Sequence, residues 1–240
     1  MSDALKITNL SFHFNEQSDS RFFGGVNASF PANALHFIRG KNGAGKSTLF
    51  RIIRGQVFSD EFIEGTICIG EKEYKLTNQE RRKALANTVR MVSQKFDHML
   101  ADQFTFTQNL QLATMPHNPH LETFKENYTI PKLVERFGID FEVPVGMLSG
   151  GQRQILAILM ALQKPTSILL LDEPTAALDD KNGAMVMSFI KDLLKANKKL
   201  TVLIICHDMD LVEEYATRDY YFINVADDDT RTIERTSLKS

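Results

Sequence analysis

The sequence predicts an α/β fold with a parallel core sheet, an antiparallel β layer ahead of it and a helical insertion within it. Three observations carry that prediction. The first is the loop Gly40-Lys41-Asn42-Gly43-Ala44-Gly45-Lys46-Ser47-Thr48, which fits the G-x-x-x-x-G-K-[ST] spacing without a gap. Leu35, Phe37 and Ile38 form a short apolar strand before it, and Leu49, Ile52 and Ile53 follow at helical spacing over Thr48–Arg54. The second is Ile168-Leu169-Leu170-Leu171, an apolar run of the kind buried in parallel sheets, closed by Asp172 and Glu173. The third is the alternation of apolar and polar residues across 4–38, the pattern of half-buried antiparallel strands.

The elements follow in order. Leu5, Ile7, Leu10, Phe12 and Phe14 make the first alternating run, Asn15 to Ser20 a polar turn, and Phe22 to Phe30 the second run. Phe14 shares a face with Phe12 but lies beside the turn, so both burial and exposure are open to it. After the loop helix, Thr66-Ile67-Cys68-Ile69 reads as a strand, Asn78 to Ala86 as a polar helix and Val89 to Ser93 as a core strand ending at Gln94. From about residue 95 to 147 the character turns helical, and this stretch is the predicted insertion. Thr105 or Thr107 caps a helix through Leu112, closed by Met115-Pro116, and Leu121 to Phe137 is helical in its second half, ending at Gly138. Between them His117-Asn118-Pro119-His120 is a turn whose histidines read as surface residues rather than metal ligands. Leu148 to Gln152 opens a helix with Ile155, Leu156, Leu159 and Leu162 on its apolar face. Thr201 to Cys206 is a further apolar strand, with His207 just past its end.

Size and composition limit what surrounds these elements. The 240 residues suit one large α/β domain over 1–240. With 24% charged and 43% hydrophobic residues the composition is that of a soluble globular chain. A net charge of −2 and a pI near 6.3 leave no basic footprint for a nucleic-acid partner. The longest apolar run, Ile155 to Leu162, falls far short of the roughly 20 residues that span a bilayer. Met1-Ser2-Asp3-Ala4 lacks the basic and apolar regions of a signal peptide. Cys68 and Cys206 fall in apparent strands and are expected to stay reduced in the cytosol. Asp227-Asp228-Asp229 reads as a solvated turn.

The chemistry follows from the residue types. Gly40, Gly43 and Gly45 let the backbone curl so that successive N–H groups point inward, and the helix N-terminus adds its positive end. That arrangement suits nucleotide phosphate, with Lys46 reaching the β- and γ-phosphates and the Ser47 hydroxyl available to magnesium. Ser149 sits at a natural N-cap, and Gly150 and Gly151 bare backbone N–H groups in a second anion cradle. Adjacent carboxylates on an extended strand end point in different directions and can divide the work. Asp172 suits a magnesium shell and Glu173 a base for water. Ligands of open α/β sheets collect at the carboxyl ends of strands. Gln94, Asp172, Glu173, His207 and the glycine loop all occupy such ends.

Together these motifs resemble the ATP-binding-cassette ATPases, the motor subunits of ABC transporters, over nearly the whole chain. Gly40 to Thr48 is similar to the Walker A loop, Gln94 to the Q-loop and Ile168 to Glu173 to Walker B with its following glutamate. Leu148 to Gln152 is the LSGGQ signature as it stands, Ala177-Leu178-Asp179 is similar to the D-loop and His207 to the switch histidine. Phe14 falls where the family has an aromatic that stacks on adenine. Lys41, Phe96, Met160 and Asp180 depart from common family residues, none at a catalytic position, and suggest an outlying branch. The stretch before Leu148 lacks the acidic, glycine-containing segment common in exporters, and the chain ends soon after His207. Both features look more like an importer's separate ATPase.

The resemblance implies a P-loop NTPase fold with a RecA-like core, an antiparallel β subdomain and an inserted helical subdomain. It implies ATP and Mg2+ as ligands, permease subunits as membrane partners, and a location on the cytoplasmic face of the membrane through those subunits. It also implies a homodimer, or a dimer with a related ATPase, that clasps ATP. The loop residues Asn42, Gly43, Gly45, Lys46, Ser47 and Thr48 of one subunit, with Phe14, would face Ser149, Gly150, Gly151, Gln152 and Asp179 of the other. Ser47, Gln94 and Asp172 would serve magnesium, Glu173 the attacking water and His207 the γ-phosphate. The alternative is a nucleotide-gated switch that does no transport. A GTPase would need an Asn-Lys-x-Asp base reader, and Asn197-Lys198-Lys199-Leu200 lacks the aspartate.

Overall fold

A computed structural model of the chain describes residues 3–15, 21–115, 130, 132–216, 219–227 and 229–238. Two compact units emerge, one of Met1–Met91, Thr166–Asp172 and Asn197–Ser240, the other of Val92–Pro165 and Glu173–Ala196. The expected insertion at about 95–147 lies within the second unit, which also takes in the signature helix and the helix after Asp179.

Ten strands among the described residues form one sheet: β1 (Asp3–His13), β2 (Phe23–Pro31), β3 (Leu35–Gly40), β4 (Phe62–Ile69), β5 (Lys72–Lys75), β6 (Val89–Val92), β7 (Ile168–Asp172), β8 (Thr201–Ile205), β9 (Asp219–Val225) and β10 (Arg231–Ser237). Their order is β5-β4-β1-β2-β10-β9-β3-β8-β7-β6. The half built from β5, β4, β1 and β2 is antiparallel, as alternation predicted. In β1 the alternation slips by one residue between Ile7 and Leu10. Asn9 is left-handed there (φ 51°), and the pairing with both neighbours shifts register. Such a bulge returns Leu10 and Phe12 to the buried face, and asparagine tolerates the left-handed region better than most residues. In the other half β3, β8 and β7 are parallel, and β9 runs parallel to β3. Residues 168–171 of β7 and 201–205 of β8 are buried throughout, because these strands have sheet neighbours on both sides and apolar cover.

Strands β9 and β10, which fill the sheet between β2 and β3, are not among the elements predicted above. In β9 only Tyr221 and Ile223 are fully buried, and β10 is half exposed, so neither carries a strong apolar pattern. Cys68 lies within β4 as expected, whereas Cys206 is buried one residue past the end of β8. In the same unit, helix α1 (Lys46–Ile53) buries Leu49, Phe50, Ile52 and Ile53, and α2 (Gln79–Leu85) starts on the Asn78 side chain.

The second unit is helical. Of the two threonines expected to cap α3 (Phe106–Thr114), Thr105 does so in a reciprocal box with Gln108, and the helix runs two residues past Leu112. Buried Asn109 bonds the backbone of Ala101, Phe104 and Thr105 and fixes the turn before the helix. Lys132–Phe137 is a 3-10 turn, ended by Gly138 at φ 61°, rather than the second half of an α-helix. The expected His117–His120 turn and residues 121–129 lie outside the described residues. α4 (Gly150–Leu162) buries Ile155, Leu156 and Leu159 as predicted, with Leu162 only partly covered. The helix α5 (Asp180–Ala196) is not among the elements predicted above, although Val186, Phe189, Ile190, Leu193 and Leu194 make a buried stripe. The short α6 (Met209–Tyr215), in the first unit, is capped by Asp208.

Candidate functional site

The glycine loop leaves the end of β3 and turns into α1. Gly43 (φ 78°) and Gly45 (φ 97°) occupy the left-handed region that side chains resist, which is why glycine is needed at both. At Gly45 there is a second reason: an added Cβ would lie 2.6 Å from the Phe22 ring. Lys46 is folded back, its Nζ donating to the carbonyls of Gly40 (2.9 Å) and Lys41 (3.1 Å), and only 7% of the residue is exposed. Holding two carbonyls closes the loop around its own ammonium. Ser47 is exposed, and Thr48 partly so, in the first turn of α1. Its N-cap, Gly45, has no side chain to cap it and no acidic residue lies in its first turn. Its N-terminal donors therefore keep their affinity for an anion.

The carboxyl ends of β3, β8 and β7 lie along one edge of the sheet, since the three strands are parallel neighbours. Gly40, His207 and Asp172 accordingly come to that edge, as the sequence predicted. The guanidinium of Arg39 donates to the His207 carbonyl (3.0 Å) and steadies the backbone there.

Phe12 and Phe14 part company: Phe12 is fully buried, while Phe14, just past the end of β1, is 48% exposed. Phe14 meets Phe22 edge-on at 4.6 Å between centroids and Phe12 at 5.0 Å. Phe22, which sequence reasoning did not single out, thus touches both Phe14 and the Gly45 turn.

In the second unit Gln94 and Glu173 meet. Gln94 Nε2 donates to Glu173 Oε2 at 2.9 Å, although the two are 79 residues apart. Glu173 is itself left-handed (φ 50°), a conformation that costs a non-glycine residue roughly 1–2 kcal/mol. It breaks the strand geometry at the residue after Asp172, so the two carboxylates leave the chain differently.

Ser149 caps α4 in a reciprocal box. Its Oγ accepts from the Gln152 N–H (3.3 Å), and Gln152 Oε1 accepts from the Ser149 N–H (3.1 Å). The glycines after it serve packing as well as baring N–H groups. A Cβ on Gly150 would lie 2.8 Å from Leu178, and one on Gly151 only 2.4 Å from Met185. Asp179 is exposed and accepts two bonds from Asn182, which hold its carboxyl below the usual carboxylate range. The apolar segment after Gln94 divides: Phe96 and Phe106 are buried, Leu100 is partly covered, and Met99 and Phe104 are exposed. Phe104 lies on a segment paired to the one that leads into exposed Met147.

A glycine loop after a parallel strand, with a carboxylate and a histidine on the neighbouring strand ends, defines a P-loop NTPase core. The comparisons narrow the class. Residues 23–176 match the family described as ABC transporter. A probable iron chelatin transport ATP-binding protein of Helicobacter pylori is 32% identical over 217 residues, 89% of this chain and 81% of that protein. A phosphonates import ATP-binding protein of Ruegeria sp. is 31% identical over 224 residues, 89% of this chain and 83% of that protein. In fold, the chain is similar to cbiO1 from Clostridium perfringens, with a TM-score of 0.77 and 24% identity over 98% of this chain and 89% of that one. It is also similar to a dimeric ATP-binding cassette bound to ADP and Pi, with a TM-score of 0.69 and 23% identity over 98% of this chain and 99% of that one. The chain belongs to the ABC transporter family and is an ATP-binding ATPase of that family. Among the described residues no helix is long and apolar enough to cross a membrane.

Proposed function

We propose that this chain is the motor subunit of an import system, a single cassette over 1–240 with a helical insertion at about 95–147. It hydrolyses ATP between two copies and moves permease subunits on the cytoplasmic face of the membrane. One observation carries the reading: the chain presents two glycine-bearing helix starts of opposite character, an uncapped one behind Lys46 and a self-capped one displaying Ser149. The first suits the phosphates of bound ATP. The second suits the γ-phosphate held by a partner copy, so a homodimer would hold two complete sites. The relatives' names are those of an iron chelatin transport protein and a phosphonates import protein, and cbiO1 is described as part of an ABC transporter complex.

The roles follow from residue chemistry. Asn42, Gly43, Gly45, Lys46, Ser47 and Thr48 bind phosphates, and Phe14 offers its exposed face to adenine. Ser149, Gly150, Gly151 and Gln152 of the other copy close over the γ-phosphate, with Asp179 beside them. Ser47, Gln94 and Asp172 offer the hard oxygens that Mg2+ prefers; with Gln94 Nε2 engaged on Glu173, its Oε1 is the end left to bind. Bound there, Mg2+ would neutralise charge on the phosphate oxygens. Glu173 accepts the proton of the attacking water, its carboxylate oriented by the Gln94 amide, and His207 donates to the γ-phosphate. Exposed Met99, Phe104 and Met147 suit a groove for a cytoplasmic segment of the permease.

Glu173→Gln tests this mechanism. The amide still accepts the Gln94 bond but takes no proton, so turnover should fall roughly 10²–10⁴-fold with ATP still bound. Hydrolysis then no longer removes the bridging γ-phosphate, and the variant should run as a dimer with ATP on gel filtration. The wild type without nucleotide should run as a monomer. Near wild-type hydrolysis in the variant would assign the base elsewhere.

A further inference from the structure

Asn182, in the first turn of α5, joins two residues from separate motifs. Its N–H donates to Asp179 Oδ1 (2.8 Å) and its Nδ2 to Asp179 Oδ2 (2.8 Å), while Ser149 Oγ donates to its Oδ1 (2.9 Å). The orientation of the amide follows from chemistry. An ionised carboxylate only accepts, so the end facing Asp179 must be the NH2 and the end facing Ser149 the oxygen. The Ser149 hydroxyl must then donate to Asn182, because an amide oxygen only accepts, and its lone pairs stay available to cap the Gln152 N–H at 3.3 Å. The close approach is built in: a Cβ on Gly151 would lie 2.8 Å from Asn182 Oδ1 and 3.1 Å from its Cβ. Only glycine at 151 leaves room for the amide.

We propose that Asn182 is a positioning residue that holds the Ser149 hydroxyl aimed for a partner's γ-phosphate and links its state to Asp179. This rests on the reading of Ser149 as part of the ATP site. Before a partner's nucleotide arrives, the Ser149 O–H points at Asn182 Oδ1, and one rotamer of Ser149 is selected. A phosphate oxygen is charged and therefore the stronger acceptor, so the O–H turns its hydrogen bond to the phosphate and releases Asn182 Oδ1. Asp179, bonded through both carboxylate oxygens to the same asparagine, feels the exchange directly.

A double-mutant cycle tests it, with Ser149→Ala, Asn182→Ala and the pair made in the full chain. ATP turnover, ATP binding to the monomer and thermal unfolding are measured for each. Because Lys46 holds the nucleotide of its own chain, Asn182→Ala should bind ATP with unchanged affinity and unfold cooperatively near the wild-type temperature. Its kcat should fall roughly 5- to 10-fold, the effect of one lost hydrogen bond. The double variant should be no slower than Ser149→Ala alone, because Asn182 acts through that hydroxyl. If Asn182→Ala does not fold, Asn182→Ser goes through the same cycle, its hydroxyl being too short to reach both partners. Wild-type kcat in the asparagine variant, or a double variant slowed by the product of the two single effects, overturns the role of Asn182 while leaving Ser149 in the site. Wild-type turnover in Ser149→Ala overturns the ATP-site reading, and this inference with it.

Discussion

Helices α1 and α4 both begin beside glycines, yet they begin in opposite ways. The first starts on left-handed Gly45, an N-cap without a side chain to offer, and has a lysine as its first residue. The second starts on extended Ser149, in a box where serine and Gln152 satisfy each other's backbone. An uncapped start keeps its donors for an anion, whereas a capped start spends part of them internally and displays a hydroxyl. The glycines differ too: Gly43 and Gly45 hold left-handed backbone, Gly45 also making room for the Phe22 ring, whereas Gly150 and Gly151 serve the close approach of residues 178–185. Two motifs that look alike as glycine-rich turns thus suit, in the proposed mechanism, a receptor and a presenter.

The difference can be broken most forcefully at Lys46. Lys46→Ala removes the ammonium that bridges the Gly40 and Lys41 carbonyls and, in the proposed mechanism, the charge that meets the β- and γ-phosphates. A hydrogen bond to a charged group contributes about 1.5–3 kcal/mol, so ATP should bind roughly 10- to 100-fold more weakly by titration calorimetry. Unweakened binding would leave α1 no more a receptor than α4.

Gly45→Ala probes the conformation rather than the charge. The left-handed backbone costs alanine about 1–2 kcal/mol, and its methyl must displace the Phe22 ring from 2.6 Å. The variant should melt several degrees below wild type; an unchanged melting temperature would mean that the loop relaxes freely.

Ser149→Ala addresses the presenter. Losing an N-cap costs about 1 kcal/mol, which lowers the melting temperature of a chain this size by about 2–4 °C. A loss well below that would mean that Gln152 and the packing of α5 hold the helix start without the serine.

These tests concern features that were legible to different degrees. The loop at 40–48, the Ser149 cap and the strands around them could be read directly, because spacing, capping and periodicity are local properties of the chain. Phe14 could be placed beside a turn, but only packing separated it from buried Phe12. The bonds from Gln94 to Glu173 and from Ser149 to Asn182 join residues 79 and 33 positions apart, and nothing local encodes such a pairing. Strands β9 and β10 escaped for a different reason: sheet pairing holds them, and with few buried side chains they carry little hydrophobic signal. The stripe of α5 was present in the sequence from Val186 to Leu194, and a count of helical spacing there finds it.

The smallest expected effect falls at Phe14, and it asks whether the receptor extends beyond the phosphates. Phe14 is half exposed and packs edge-on against Phe22, the ring that also touches the Gly45 turn. Removing it should leave Phe12 buried and the fold unchanged, since a side chain already 48% in water contributes little to the core. An aromatic stacking contact contributes about 0.5–1.5 kcal/mol, so Phe14→Ala should weaken ATP binding roughly 2- to 10-fold. Inorganic triphosphate, which has no base, should bind the variant and the wild type alike. The presenting end has no aromatic partner in this scheme, so ATP-driven dimerisation of Glu173→Gln should survive the added Phe14→Ala at saturating nucleotide. Equal loss of triphosphate and ATP would mean that Phe14 acts by bracing Phe22 against the loop, and the receptor would then end at its phosphates.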